Sequence, residues 1–164
     1  MTTSMIVLLL AVAVFGGHML YLFLKRNKTV MLLPVEAGPT KGADEDFTTP
    51  VKIRVGDMQM VPEYKYFVVR NECMTPRHIC SGDVVGVQLF DDNFTVADVH
   101  EGDILLIHLD DERFRGHKIR VMRETEGDAF RTYYYNGNWQ QDSSKPHGFE
   151  SICGVVREIN HPNI

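Results

Sequence analysis

The chain has 164 residues, a length that suits one domain plus an appendage, since domains most often run to roughly 100–150 residues. Apolar residues make up 44% and charged residues 24%, which excludes fibrous and disordered classes. The net charge is −5 and the 17 basic residues form no tract or lysine-rich face, so no nucleic-acid partner is expected. The three cysteines, Cys73, Cys80 and Cys153, are odd in number and share no repeated short spacing. A disulfide framework is therefore not expected, a zinc site would need distant histidines, and a reducing compartment fits best.

In chain order, the first element is the run from Met5 to Leu24, MIVLLLAVAVFGGHMLYLFL, which carries no formal charge. About 20 apolar residues at roughly 1.5 Å each span the ~30 Å hydrocarbon core, so the run predicts a transmembrane helix and makes the membrane a partner. A cleaved signal peptide would want a basic segment before a shorter apolar run and a small-residue cleavage site after it; MTTS supplies no basic side chain. Lys25, Arg26 and Lys28 follow directly. The positive-inside rule then places the C-terminal part in the cytoplasm, which agrees with reduced thiols. Gly16, Gly17 and His18 inside the run suit a close helix contact; proton transfer is the sharper alternative, for which one histidine in one span is slender support.

The expected organisation is an anchor with its basic flank over residues 1–28, a linker over 29–50 and a β domain over 51–164. The linker contains one short apolar run, Val30 to Val35, before EAGPTKGADEDFTTP, where Gly, Pro, Asp and Thr break any period. Beyond it, Val51 to Val55, Tyr66 to Arg70, Val84 to Phe90, Ile104 to Leu109 and Lys118 to Arg123 are alternating or apolar runs of strand length. Ala129 to Tyr135 meets Asn136-Gly137, a strong hairpin signal, with Trp139 on the return, and Ile152 to Ile159 closes the series. Turns at Ser81-Gly82-Asp83 and Glu101-Gly102-Asp103 separate the strands. These features predict a mostly β fold, a curled sheet or open barrel.

The site-like stretch is NECMTPRHICSGDVV, Asn71 to Val85. A turn that delivers Cys73-Met74 with Pro76, then returns through Gly82-Asp83 into Val84-Val85, holds a side chain at a strand end with backbone amides nearby. Such a place can present a nucleophile to a carbonyl and supply donors to the oxyanion that forms.

Cys73-Met74, Pro76 and Gly82-Asp83 resemble the Ser-Met-x-Pro…Gly-Asp-x-Val signature of the LexA-type self-cleaving repressors and their relatives, the type I signal peptidases. Glu101 to Ile107 resembles the next Gly-initiated strand of that superfamily, and Ile152 to Val156 its C-terminal strand, so the resemblance covers about Asp57 to Ile159. It implies a LexA–signal peptidase type of β fold and a peptidase with a serine nucleophile and a neutral lysine base, without a cofactor or metal. Two departures stand out. Cys73 matches the serine, and the lysine position falls either on Lys118 or, in an alternative register, on Arg120. A desolvated lysine can lose its proton near neutral pH, whereas a guanidinium stays charged and cannot act as a base. Val35-Glu36-Ala37-Gly38-Pro39 further resembles the superfamily's Ala-Gly self-cleavage site, although Ala-Gly-Pro is also ordinary linker sequence.

Two functions follow. One is a peptidase acting on itself at Ala37-Gly38 or on a membrane-proximal polypeptide, with Cys73 as nucleophile, Lys118 as base and the Cys73 amide in the oxyanion hole. The other is a pseudo-peptidase that binds a peptide or protein partner by strand addition without cutting it. A LexA-like role in transcription is not implied, because the membrane helix stands where such a repressor carries its DNA-binding domain. A signal peptidase role conflicts with the cytoplasmic side expected for the domain.

Of the remaining residues, His78, His100, His108, His117, His147 and His161 follow no ligand spacing and read as surface or hydrogen-bonded side chains. Asp44-Glu45-Asp46, Asp91-Asp92 and Asp110-Asp111-Glu112 read as solvated loops rather than acid–base pairs. Tyr133 and Tyr135 share one strand face and Tyr134 takes the other, leaving core packing and an aromatic platform with Trp139 as alternatives.

Overall fold

A computed structural model describes residues 14–22, 24, 28–38, 47–56, 58–71, 74–110, 114–136 and 138–162. Residues 14–22 are helical, and Val14, Phe15, Met19, Leu20, Tyr21 and Leu22 are all exposed. The rest of the apolar run expected to be transmembrane, apart from Leu24, lies outside the described residues. Among the described residues, no helix is long and apolar enough to cross a membrane.

The rest is mostly β, as the alternating runs predict. Among the described residues, ten strands form the sheet: β1 (Thr29–Glu36), β2 (Val51–Arg54), β3 (Tyr64–Arg70), β4 (Val84–Leu89), β5 (Ile104–Asp110), β6 (Arg115–Glu126), β7 (Ala129–Asn136), β8 (Trp139–Asp142), β9 (His147–Gly148) and β10 (Ile152–Asn160). They run in the order β2-β1-β3-β4-β10-β5-β6-β7-β8, with β9 beside β7. A further pairing of β1 with β6 joins the two ends of the inner path, so β1, β3, β4, β10, β5 and β6 form a closed ring.

Two expectations change here. Thr29–Glu36, placed in the linker, is a strand of the fold, and the domain therefore begins before residue 51. The expected open barrel is closed, and β1 closes it: its first half pairs antiparallel with β2, while its second half runs parallel to β3 and, at Val35 and Glu36, to β6.

Period-two alternation sorts the side chains. Phe67 and Val69 of β3, Leu106 of β5, and Ile119 and Val121 of β6 point into the ring with Val35, Ala37, Met74, Val85 and Val87. On the other face, Tyr66 and Val68 join Leu32 and Val84 beneath β2, and Leu105, Ile107, Met122 and Phe130 pack with Ile152 and Val155. At roughly 25 cal/mol per Å² of apolar area buried, these clusters supply the main favourable term of folding.

Candidate functional site

Glu72 and Cys73 lie outside the described residues, but the turn that flanks them is defined. Asn71 (φ 74°) ends β3, and Met74, fully buried in the ring, bridges to Ile79. The Arg77 and Ile79 amides both donate to the Met74 carbonyl, at 2.8 and 3.2 Å. Between them Thr75–Arg77 makes one 3₁₀ turn, which Pro76 suits because its fixed φ costs no needed donor. Arg77 Nη2 donates to the Tyr133 hydroxyl at 2.7 Å and ties the turn to β7.

Gly82 and Asp83 have a structural job in this fold. Gly82 adopts φ 94°, its amide donates to Val69 O at 2.9 Å, and Asp83 Oδ2 accepts the Cys80 amide at 2.7 Å. Asp83 Oδ1 meets His161 Nδ1 at 2.9 Å, anchoring the C-terminal segment. Gly102-Asp103 repeats the device: Gly102 has φ 90°, and Asp103 Oδ2 accepts the His100 amide at 2.9 Å. Both turns feed directly into strands, β4 and β5. The Gly-Asp pairs therefore shape the chain by supplying a positive φ and an acceptor for a turn amide.

The two candidate bases alternate with Ile119 and Val121 on β6 and share the outer face of the ring. Lys118 is only 5% exposed, and Glu36, its register partner on β1, is 1% exposed. Their Nζ–Oε2 separation is 3.0 Å, an ion pair whose oxygen accepts no well-aligned hydrogen bond among the described residues. Lys118 Nζ also sits 3.9 Å from the centroid of the Phe114 ring, which Phe47 covers at 5.2 Å. Arg120 donates from Nη2 to Gly38 O and from Nη1 to Ile119 O, both at 2.8 Å, and its guanidinium lies 4.8 Å from the Tyr134 ring centroid.

Both cations are thus engaged with the segment on either side of Ala37. Ala37 itself is fully buried in the ring, and its amide donates to Arg70 O at 3.3 Å. The structure brings Ala37, Gly38, Lys118 and Arg120 together beside the end of β3, the strand that leads to Cys73. Met74 belongs to the core rather than to this outer face. Arg120 cannot act as a base, and Lys118 is paired with the Glu36 carboxylate.

Sequence reasoning missed two members of the cluster. Glu36 is a lone acid at the end of an apolar run, and its burial is visible only once β1 is seen between β3 and β6. His147, in β9, is half-buried with Nε2 unpartnered among the described residues. Burial, and then the charges of Arg120 and Lys118, push it down to about 4, so it is neutral at pH 7. No local signal marks it.

Elsewhere the candidate residues have ordinary roles. His117 packs against Phe67 and His108 at ring separations of 5.1 and 4.8 Å and is lowered to about 4, mainly by burial. Burial raises the Cys153 thiol, the opposite of an activated cysteine. Asp91 Oδ1 caps the amides of Asn93 and Phe94, and Asp110 pairs with Arg115 at the surface. Asp44, Glu45, Asp46, Asp111 and Glu112 lie outside the described residues. Tyr133 and Tyr135 stack edge to face at 5.8 Å on the core side, while Trp139 stands 79% exposed. No group of three or more metal-ligating side chains occurs among the described residues.

No protein-family model matches the chain, and no curated protein matches it significantly.

Proposed function

We propose that this chain is a membrane-anchored domain of the LexA–signal peptidase type in degenerate form, a pseudo-peptidase that holds an extended polypeptide strand instead of hydrolysing it. The observation that carries this reading is the capture of residues 36–38: Lys118 on the Glu36 carboxylate and Arg120 on the Gly38 carbonyl. A Ser-Lys type of hydrolase needs a neutral amine beside its nucleophile. Here the two basic side chains of β6 both contact the β1 segment, at Glu36 and at Gly38. Arg120 grips the carbonyl one peptide beyond the Ala37-Gly38 bond, where it steadies the chain without stabilising charge on the Ala37 oxygen. Anchorage is supported by the exposed apolar side chains of residues 14–22 and by the basic flank Lys25, Arg26 and Lys28, which favours a cytoplasmic domain.

A second reading has its own observation. The Ala37 amide donates to Arg70 O at the end of β3, three residues before Cys73 in the sequence. In that reading the Cys73 thiolate attacks the Ala37 carbonyl carbon, the Gly38 nitrogen leaves with a proton, and water hydrolyses the resulting thioester. Intact-mass measurement on the full chain in lipid nanodiscs separates the two. The non-catalytic reading expects the uncut chain after prolonged incubation. A new N-terminus at Gly38 that disappears in Cys73→Ala would overturn it.

A further inference from the structure

The hairpin of β1 and β2 has two unlike faces. Val30 and Leu32 of β1 pair with Ile53 and Val51 of β2, and all four pack inward with Tyr66, Val68 and Val84. Thr29 and Met31 pair with Arg54 and Lys52, and by alternation these four stand on the opposite face, all of them exposed. Lys65, also exposed, extends that face beyond Met31: it lies two residues before Phe67, the parallel partner of Leu33, and its Nζ sits 5.7 Å from the Phe67 ring centroid. Lys28 is exposed at the start of β1, and its carbonyl accepts the amides of Val55 and Gly56 at 2.9 and 3.4 Å, which fixes the beginning of β1 to the end of β2. Four basic side chains scattered between positions 28 and 65 are thus gathered at one end of the sheet, in a chain whose net charge is −5. Met31, 62% exposed, stands among them. On the described parts of these segments the exposed carboxylate is Glu63, just before β3.

Position in the chain identifies what meets this face. Lys25, Arg26 and Asn27 alone separate Leu24 of the apolar helical segment from Lys28, so the hairpin lies no more than about 14 Å of extended chain from that segment. With the apolar run in a bilayer, the hairpin stays beside the headgroup layer. From the charge and the tether together we infer that Thr29, Met31, Lys52 and Arg54, with Lys28 and Lys65, form a docking surface for an anionic lipid bilayer. The basic groups meet the phosphates and carboxylates of the lipid headgroups, Met31 enters the interface among them, and the domain is held in one orientation instead of swinging on its anchor. Attraction to an anionic leaflet acts over roughly a Debye length, about 8 Å at physiological ionic strength, and so short a tether keeps the basic groups within reach of it. The inference rests on the anchorage proposed above and adds the lipid charge that the domain recognises.

The test places the full chain in nanodiscs of phosphatidylcholine alone and of phosphatidylcholine with about 30% phosphatidylserine. Lysine acylation by a water-soluble N-hydroxysuccinimide ester is then followed residue by residue by peptide mass spectrometry. In the anionic discs Lys28, Lys52 and Lys65 are expected to react about threefold or more slowly than in the zwitterionic discs. Lys145, exposed toward the other end of the strand order, should react equally in both. The difference should vanish in roughly 1 M salt, where the Debye length is about 3 Å. Lys52→Gln/Arg54→Gln should likewise remove the protection of Lys28 and Lys65; should that variant lose its β circular-dichroism signal, the lipid and salt comparisons on the unaltered chain decide. Equal reactivity in both lipids, with the chain retained on the discs, overturns the docking and leaves the anchorage standing. Protection that appears in either lipid only when a disc holds two chains assigns the face to a second copy and overturns the inference as well. A chain that separates from discs of both compositions overturns anchorage and docking together.

Discussion

Glu36, Lys118 and His147 show how burial rather than residue type sets the chemistry of this domain. Two histidines, His117 and His147, are each lowered to about 4 by burial and nearby positive charge, against about 6.5 in an unfolded chain. Because the unfolded chain binds these protons more readily, their contribution to stability is complete above pH 6.5, falls as the pH drops toward 4, and is lost below that. With allowance for solvent screening of half-buried groups, the two together should be worth on the order of 2 kcal/mol. Urea midpoints at pH 7.5 and 4.5 should therefore differ less in a His117→Phe/His147→Gln variant than in the unaltered chain; an unchanged difference would remove the histidines as its source. In the sequence these residues were only histidines without ligand spacing. Spacing carries no information on what packs around a ring, so the reading of surface or hydrogen-bonded side chains fits His161 and fails for His117 and His147.

At the level of elements, the alternating runs became β2 to β7 and β10 within a few residues of their expected ends, because period two is imposed by the pleat and is legible in any half-buried strand. Asn136 and Trp139 pair as the hairpin signal predicts. The failure was β1. A strand held on both sides shows a continuous apolar run instead of alternation, and the Gly, Pro, Asp and Thr of the stretch that follows argued for a linker. The cover over Lys118 depends on another such local detail. Gly116 has φ 139°, and a Cβ there would stand 2.6 Å from the Phe47 Cβ. Gly116→Ala should thus unseat Phe47 from Phe114 and cost about 2 kcal/mol or more, read as a lowered Tm. A Tm within a degree of the parent would show that Phe47 adjusts without loss.

For the whole molecule, β1 connects the apolar N-terminal segment to the candidate site, since it begins only a few residues after that segment and ends against Lys118 and Arg120. If the proposed anchorage holds, the full chain remains in the membrane pellet through alkaline carbonate extraction and leaves it when residues 5–24 are replaced by a polar linker. A reporter fused after Ile164 should be active in the cytoplasm; activity on the far side would reverse the topology. The mostly β class was readable from strand-length runs and turn residues. Closure was not, because joining β1 to β6 brings together residues some eighty positions apart.

What the amino-acid order determined alone are the features that rest on neighbours in the chain: an uncharged apolar N-terminal run, alternating strands, and Gly-Asp turns whose φ and acceptor are local properties. Tertiary structure decided the rest. It placed β1 between β3 and β6, buried Glu36 against Lys118, and turned Arg120 onto the Gly38 carbonyl, because a buried charge finds its partner through the packing of distant strands and leaves no mark on the residues beside it.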